Sequence, residues 1–136
     1  MRAVEFIADS GFIVLRWSKS PQRRQWAIRL WEQAALPMLT SAANLQEAGW
    51  LLENHEIILR MVKDGDLRPA LDFEQEAKAL HTLAEAYAPR MDIADAAIVR
   101  LSELFPAHQV LTVDKTDFGI YRRHRTQAIP CIFPPA

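Results

Sequence analysis

Cysteine is nearly absent from this 136-residue chain: Cys131 stands alone, which excludes an internal disulfide and any zinc site built on cysteine. Only four glycines are present. They form neither a phosphate-cradling loop nor the G-x-S-x-G turn of a nucleophilic serine, so those two routes to chemistry are closed. No apolar run approaches the roughly 18 to 20 residues of a membrane span, and the start of the chain lacks a signal-peptide pattern. A cytoplasmic setting with no membrane partner is the expectation. Net charge is also missing. Sixteen Lys and Arg against seventeen Asp and Glu leave −1 at neutral pH, which argues against a protein held on nucleic acid by bulk positive charge. An enzyme that meets phosphates through a divalent cation and a local basic patch stays open. His55, His81, His108 and His124 show no ligand spacing with one another or with the acids and read as surface or core residues.

What is present is an alternation of short apolar runs with helical stretches. The length suits one domain over residues 1–136, with enough chain to bury a core. Val4-Glu5-Phe6-Ile7-Ala8 ends at Asp9, and Val110-Leu111-Thr112-Val113 ends at Asp114; both read as buried strands of a parallel sheet. Between them, Ser10-Gly11 offers a tight turn, and Ser20-Pro21 opens a helix reaching Ala35. Pro37–Thr40 is a short strand, and Ser41 caps a helix through Leu52. Asn54–Lys63 either continues that helix after a break or forms its own, and Asp64-Gly65-Asp66 is a turn. Leu67–Leu71 is a weak strand containing Pro69, Glu74–Tyr87 and Asp92–Phe105 are helices, and Phe118–Tyr121 and Ala128–Phe133 are candidate edge strands. Together these predict one three-layer α/β/α domain with a central, mostly parallel sheet.

Four carboxylates stand out. Asp9 and Asp114 follow strands, and in an open α/β sheet ligands bind beyond the carboxyl ends of the strands. Glu47 has Ala43, Trp50 and Leu51 as its helical neighbours, and Asp95 lies in the apolar run Met91-Asp92-Ile93-Ala94-Asp95-Ala96-Ala97-Ile98. A buried carboxylate needs a partner, and like charges held together need a proton or a cation between them. Acids without His or Cys companions select hard ions, Mg²⁺ or Mn²⁺. Each acid also has a plainer reading. Asp92 suits a helix N-cap with Met91 as a hydrophobic staple, Asp95 suits a helix dipole, Asp9 and Asp114 suit turns, and Glu47 suits a salt bridge. Asp117 is either an outer-shell acid or a turn former. Arg122-Arg123-His124-Arg125 makes a basic patch, and Arg16, Lys19, Arg23 and Arg24 a looser one; either is a phosphate contact or a solvated face.

These segments resemble the PIN-domain ribonucleases, and within them the VapC-type toxins of bacterial toxin–antitoxin pairs. Ile7-Ala8-Asp9-Ser10-Gly11-Phe12-Ile13-Val14 is similar to the family's opening apolar-x-Asp-Thr/Ser-Gly motif, with serine for the commoner threonine. Leu39-Thr40-Ser41 with Leu45-Gln46-Glu47-Ala48 is similar to its second strand and glutamate-bearing helix. Met91 to Val99 looks like its Asp-Ala helix, and Val110 to Phe118 like its Thr-x-Asp-x-x-Asp-Phe motif. The resemblance spans nearly the whole chain. It implies an acidic quartet of Asp9, Glu47, Asp95 and Asp114, with Asp92 competing with Asp95 for its place and the hydroxyls of Ser10 and Thr112 nearby.

The resemblance further implies Mg²⁺- or Mn²⁺-dependent hydrolysis of RNA. Asp9 and Asp95 would be the central ligands, Glu47 and Asp114 would complete the shell directly or through water, and Ser10 and Thr112 would hold ligands or the scissile phosphate. Arg122 or Arg123 would contact flanking RNA phosphates. A small antitoxin would occlude the acidic cleft, and a homodimer is expected by analogy. Trp17, Trp26 and Trp31 belong either to the core or to a partner or dimer face. Two competing readings remain: a catalytically weak PIN-like module that binds RNA or protein, and a phosphoacceptor receiver domain. The receiver fits less well, because it wants paired acids near the first strand, whereas Glu47 and Asp95 lie on helices.

Overall fold

The computed structural model describes residues 3–135. At its centre lies a five-stranded, all-parallel sheet of β1 (Phe6–Ala8), β2 (Met38–Thr40), β3 (Leu67–Pro69), β4 (Gln109–Leu111) and β7 (Cys131–Ile132), in the order β3-β2-β1-β4-β7. Two further strands, β5 (Arg122–Arg123) and β6 (Gln127–Ala128), form a separate antiparallel hairpin. The sheet is flanked by α1 (Ser10–Val14), a 3₁₀ turn at Leu15–Trp17, α2 (Pro21–Gln33), α3 (Ala42–Leu52), α4 (His55–Lys63), α5 (Ala77–Ala86), α6 (Ile93–Leu104) and α7 (Lys115–Ile120).

Strand side chains alternate between the two faces, and both faces are covered. Phe6, Ala8, Met38, Leu67 and Leu111 pack against Phe12 of α1, Leu30 and Trp31 of α2, Ala48 of α3, and Ile58 and Met61 of α4. Ile7, Leu39 and Val110 face the other way, onto Leu80 of α5, Ala97, Ile98 and Leu101 of α6, and Phe118 of α7. This is the expected three-layer α/β/α arrangement. Central strands buried on both sides explain why the two apolar runs lack polar alternation. Pro69 is tolerated because β3 is an edge strand.

Several boundaries differ from the sequence reading. Ser10-Gly11 is not a turn but the first turn of α1. Gly11 is instead a close-approach point: a Cβ there would sit 2.5 Å from Val113 Cγ2, so something would have to shift. Asn54 starts a separate helix, its side chain accepting from the Ile57 N–H, after Glu53 adopts a left-handed conformation with φ 54°. Phe118–Tyr121 is not an edge strand. Asp114 caps Lys115–Ile120 into a helix, with its Oδ1 accepting from the Asp117 N–H at 2.9 Å. Of Ala128–Phe133, only Cys131–Ile132 joins the main sheet, beside β4. Trp31 is buried and Trp26 lies half-buried, edge-on to Phe12, so both are core residues, while Trp17 is partly exposed. Among the described residues no helix is long and apolar enough to cross a membrane.

Candidate functional site

The chain steps from β1 to β2 and β3 on one side, then returns to place β4 on the other side of β1. The strand order therefore reverses between β1 and β4, and the crevice beyond their carboxyl ends is where α/β sheets place ligands. Asp9 follows β1; Thr112 and Asp114 follow β4.

Asp9 caps α1, and its Oδ1 accepts from the Ser10 N–H at 2.8 Å and from Asn44 Nδ2 at 3.1 Å. Its Oδ2 accepts from Thr112 Oγ1 at 2.7 Å. The Thr112 hydroxyl in turn accepts from the Asp114 N–H at 3.1 Å, tying the two strand ends together. Gly11 allows this close approach, since a side chain there would meet the Val113 methyl, and Val113 or α1 would have to shift. Asp9 is buried, and its carboxyl is raised from 3.8 to about 6. Burial is the main cause; the bonds from Thr112 and Ser10 oppose it, and the charges of Glu47 and Asp114 add to it.

Asp95 lies in the first turn of α6. Its N–H is given to the capping carboxylate of Asp92 at 2.8 Å, and its own Oδ2 accepts from Tyr121 Oη at 2.8 Å. Asp95 is raised from 3.8 to about 7, again mainly by burial, with the Tyr121 bond opposing and the charges of Asp92 and Asp9 adding. Burial also raises Asp114. The Asp117 N–H opposes that shift, the Asp117 side chain reinforces it, and the positive charge of Arg90, which pairs with Asp117 at 2.6 Å, opposes it. Tyr121 is fully buried, edge-on to Tyr87 and Phe118, and its hydroxyl is held well above its ordinary value by burial and by Asp95.

The quartet thus shares one electrostatic neighbourhood: Asp9 feels Glu47 and Asp114, and Asp95 feels Asp9. Glu47 reaches it from α3, three residues beyond Asn44 and so on the same helix face. Its setting differs from the sequence reading, because Trp50 and Leu51 are 70% and 48% exposed. Glu47 is half-buried, so burial among apolar neighbours is not what singles it out. Asp92 is the exposed N-cap of α6, which settles its structural role. Asp117 is both an acceptor for Arg90 and the first-turn partner of Asp114.

No family model matches the chain, and no curated protein matches it.

Ser10 and Thr112 are fully buried and turned onto Asn44 and Asp9. They hold a carboxylate in place and do not face a substrate. Of the two arginines named from sequence, Arg123 is turned inward and Arg122 is half-buried. Arg123 is 6% exposed and donates to the carbonyls of Ser102 and Pro106 at 2.9 and 3.2 Å. Arg122 is half-buried and donates to the carbonyls of Gly119 and Tyr121 at 2.8 and 2.9 Å, closing the end of α7. Burial corrects the reading of Arg123 as a phosphate contact: the hairpin folds it inward onto the carbonyls at the end of α6, while Arg122 is engaged with the end of α7. The basic stretch is largely structural.

Asn44 and Tyr121 were not singled out from sequence. Asn44 reads as an ordinary polar residue in a helix, although its place three residues after the Ser41 cap was a signal for a reciprocal capping pair. Tyr121 meets Asp95 across 26 residues of chain, which no local pattern discloses.

Among the described residues, no three His, Cys, Asp or Glu side chains stand arranged to hold a metal ion. Mg²⁺ commonly takes only one or two carboxylates and fills its shell with water. A carboxylate offers about four lone-pair positions. Three on Asp9 are occupied and one, on Oδ2, remains; Oδ1 of Asp95 makes no side-chain hydrogen bond among the described residues. The donor chemistry therefore fits a hydrated hard cation and does not fit a closed protein cage. A concavity of about 830 Å³ lies elsewhere, between α5 and the β5–β6 hairpin. Lys78, Arg100, Arg122 and Arg125 alternate there with Glu76, Glu85 and Glu103, so its walls select neither charge.

Proposed function

We propose that this chain is a metal-dependent endoribonuclease of the PIN-like, VapC-type kind that hydrolyses RNA phosphodiester bonds at the Asp9–Asp95 site, as the toxin of a toxin–antitoxin pair. The observation that carries this reading is the acidic quartet at the strand-order reversal. Carboxylates from β1, α3, α6 and the end of β4 meet in one field, and two of them are driven toward neutral pH. Such a group is stabilised either by taking up protons or by a cation.

Asp9, fixed through three hydrogen bonds, and Asp95, fixed by Tyr121, would hold Mg²⁺ or Mn²⁺, with Glu47 and Asp114 acting through water. Bound there, the cation supplies polarisation of the phosphate, a lowered pKa for water and stabilisation of the leaving oxygen. The protein's own part is orientation. Thr112 and Ser10 keep Asp9 from rotating, and the Asp92 cap sets the register of Asp95. Lys115, exposed directly after Asp114, and the exposed Arg90 replace Arg122 and Arg123 as the side chains offered to RNA phosphates. A cognate antitoxin would act by covering this site, and a homodimer is part of the same proposal.

The test is cleavage of a mixed-sequence single-stranded RNA by the purified chain. Fragments should form with Mg²⁺ or Mn²⁺ and stop on addition of EDTA. RNA that stays intact while still binding the protein would favour the alternative, a PIN-like binding module without catalysis.

A further inference from the structure

We propose that Asn44 is a positioning residue for Asp9, holding its carboxylate in the one orientation that leaves a lone pair free for a divalent cation. This rests on the metal-centre reading above and extends it to a residue outside the acidic quartet. Asn44 is fully buried on α3. Its Nδ2 donates to Asp9 Oδ1 at 3.1 Å and to Ser10 Oγ at 3.0 Å. Its Oδ1 accepts from Ser41 Oγ, and its own N–H donates to that same hydroxyl at 3.2 Å.

The direction of the amide follows from donor and acceptor chemistry. An ionised Asp9 only accepts, so the NH₂ must face it. Reversal would set Asn44 Oδ1 against Asp9 Oδ1, two acceptors buried without a proton between them. Ser41 closes the other side by donating to Oδ1, and as the N-cap of α3 it is itself fixed. The helix N-terminus thereby transmits its placement through Ser41 and Asn44 to Asp9. With the Ser10 N–H, Asn44 saturates Oδ1; Thr112 takes one site on Oδ2, and a single acceptor position remains. Without Asn44 the carboxylate could rotate about its terminal bond, and Ser10 Oγ would lose its partner.

The experiment measures Mn²⁺ affinity of the full chain by electron paramagnetic resonance of the free ion, beside the metal-free thermal melt. Asn44→Leu keeps the branching at Cγ and removes the donor; it should weaken Mn²⁺ binding roughly 10- to 100-fold, the range typical of residues that orient a metal ligand. Asn44→Thr restores a hydroxyl donor and should lose less. Leucine affinity within about twofold of the parent, or equal losses in the two variants, would overturn the positioning role. Should Asn44→Leu fail to fold, Ser41→Gly decides: it releases the amide while glycine still serves as an adequate cap. Severalfold weaker binding is then expected, and unchanged binding overturns the proposal. Failure of the parent chain to bind Mn²⁺ saturably is a different result, and it removes the metal centre itself.

Discussion

Asp9→Asn should reduce Mg²⁺-dependent RNA cleavage by more than about 100-fold, beyond the range seen when only an orienting partner of a metal ligand is lost, while the metal-free protein melts at the same temperature or higher. The two halves of this result have separate causes. Cleavage falls because the most constrained carboxylate of the site loses its charge. Stability holds because asparagine keeps the shape and most of the bonds. Its carbonyl oxygen can accept from the Ser10 N–H and from Asn44, and its amide can donate to Thr112 Oγ1, which already accepts from Asp114. The ionised carboxylate, in contrast, is a burden in the absence of a cation. A shift from 3.8 to about 6 corresponds to about 3 kcal/mol of destabilisation at neutral pH, to order of magnitude. Asp95→Asn should act in the same direction, with the Tyr121 hydroxyl still donating to the new amide oxygen. Cleavage assays and melts on both variants check this pair of outcomes. Retained cleavage in both would remove the active-site assignment.

The second large effect is an inverted dependence of stability on pH. A folded carboxyl whose pKa lies above its unfolded value keeps its proton where the unfolded chain has released it, so rising pH favours unfolding. Below about pH 3.8 both states are protonated and the two acids contribute nothing. Between that point and about 6 for Asp9, or about 7 for Asp95, the folded state loses ground, and above those values the loss is complete. The metal-free melting temperature should therefore fall from pH 5 to pH 7.5. The slope should be shallower in Asp9→Asn and Asp95→Asn. Millimolar Mg²⁺ or Mn²⁺ should restore stability at pH 7.5 and do little at pH 5, where protons already neutralise the site. A parent melt that stays flat or rises across this interval, with no effect of either ion, would contradict the shared field of the quartet.

Much of the fold was legible because its signals are local. Phe6-Ile7-Ala8 and Val110-Leu111 lack polar alternation because both faces of a parallel strand are covered. Ser20-Pro21, Ser41 and Asp92 mark helix starts through side chains that accept from N–H groups three residues on. Signals that depend on distant chain were harder to read. Phe118–Tyr121 carries aromatic residues that suit a strand, yet the Asp114 cap about one turn earlier starts a helix there, and the aromatic rings of Phe118 and Tyr121 pack onto the distant α5–α6 layer. The arginines of Arg122–Arg125 suggested a solvent-facing basic patch. The hairpin instead turns Arg123 onto Ser102 and Pro106, contacts that no spacing in the sequence encodes.

The site divides in the same way. Asp9 and Asp114 could be named because two apolar runs each end on an acid, and Asp95 because it interrupts an apolar helical run. Glu47 was named on the wrong ground, since Trp50 and Leu51 beside it face solvent; its relevance comes from sharing a helix face with Asn44. Asn44 and Tyr121 carry no local signal of their place in the site, because each matters only through its partner, Asp9 in one case and Asp95 in the other.

The most direct measurement is an anomalous difference map from a crystal of the full chain soaked in Mn²⁺ at pH 7.5. The expected result is one strong peak at the carboxyl ends of β1 and β4, about 2.1 Å from a carboxylate oxygen of Asp9 and of Asp95, with water completing its shell toward Glu47 and Asp114. A map with no peak there, or with manganese only on scattered surface acids, would contradict the metal centre.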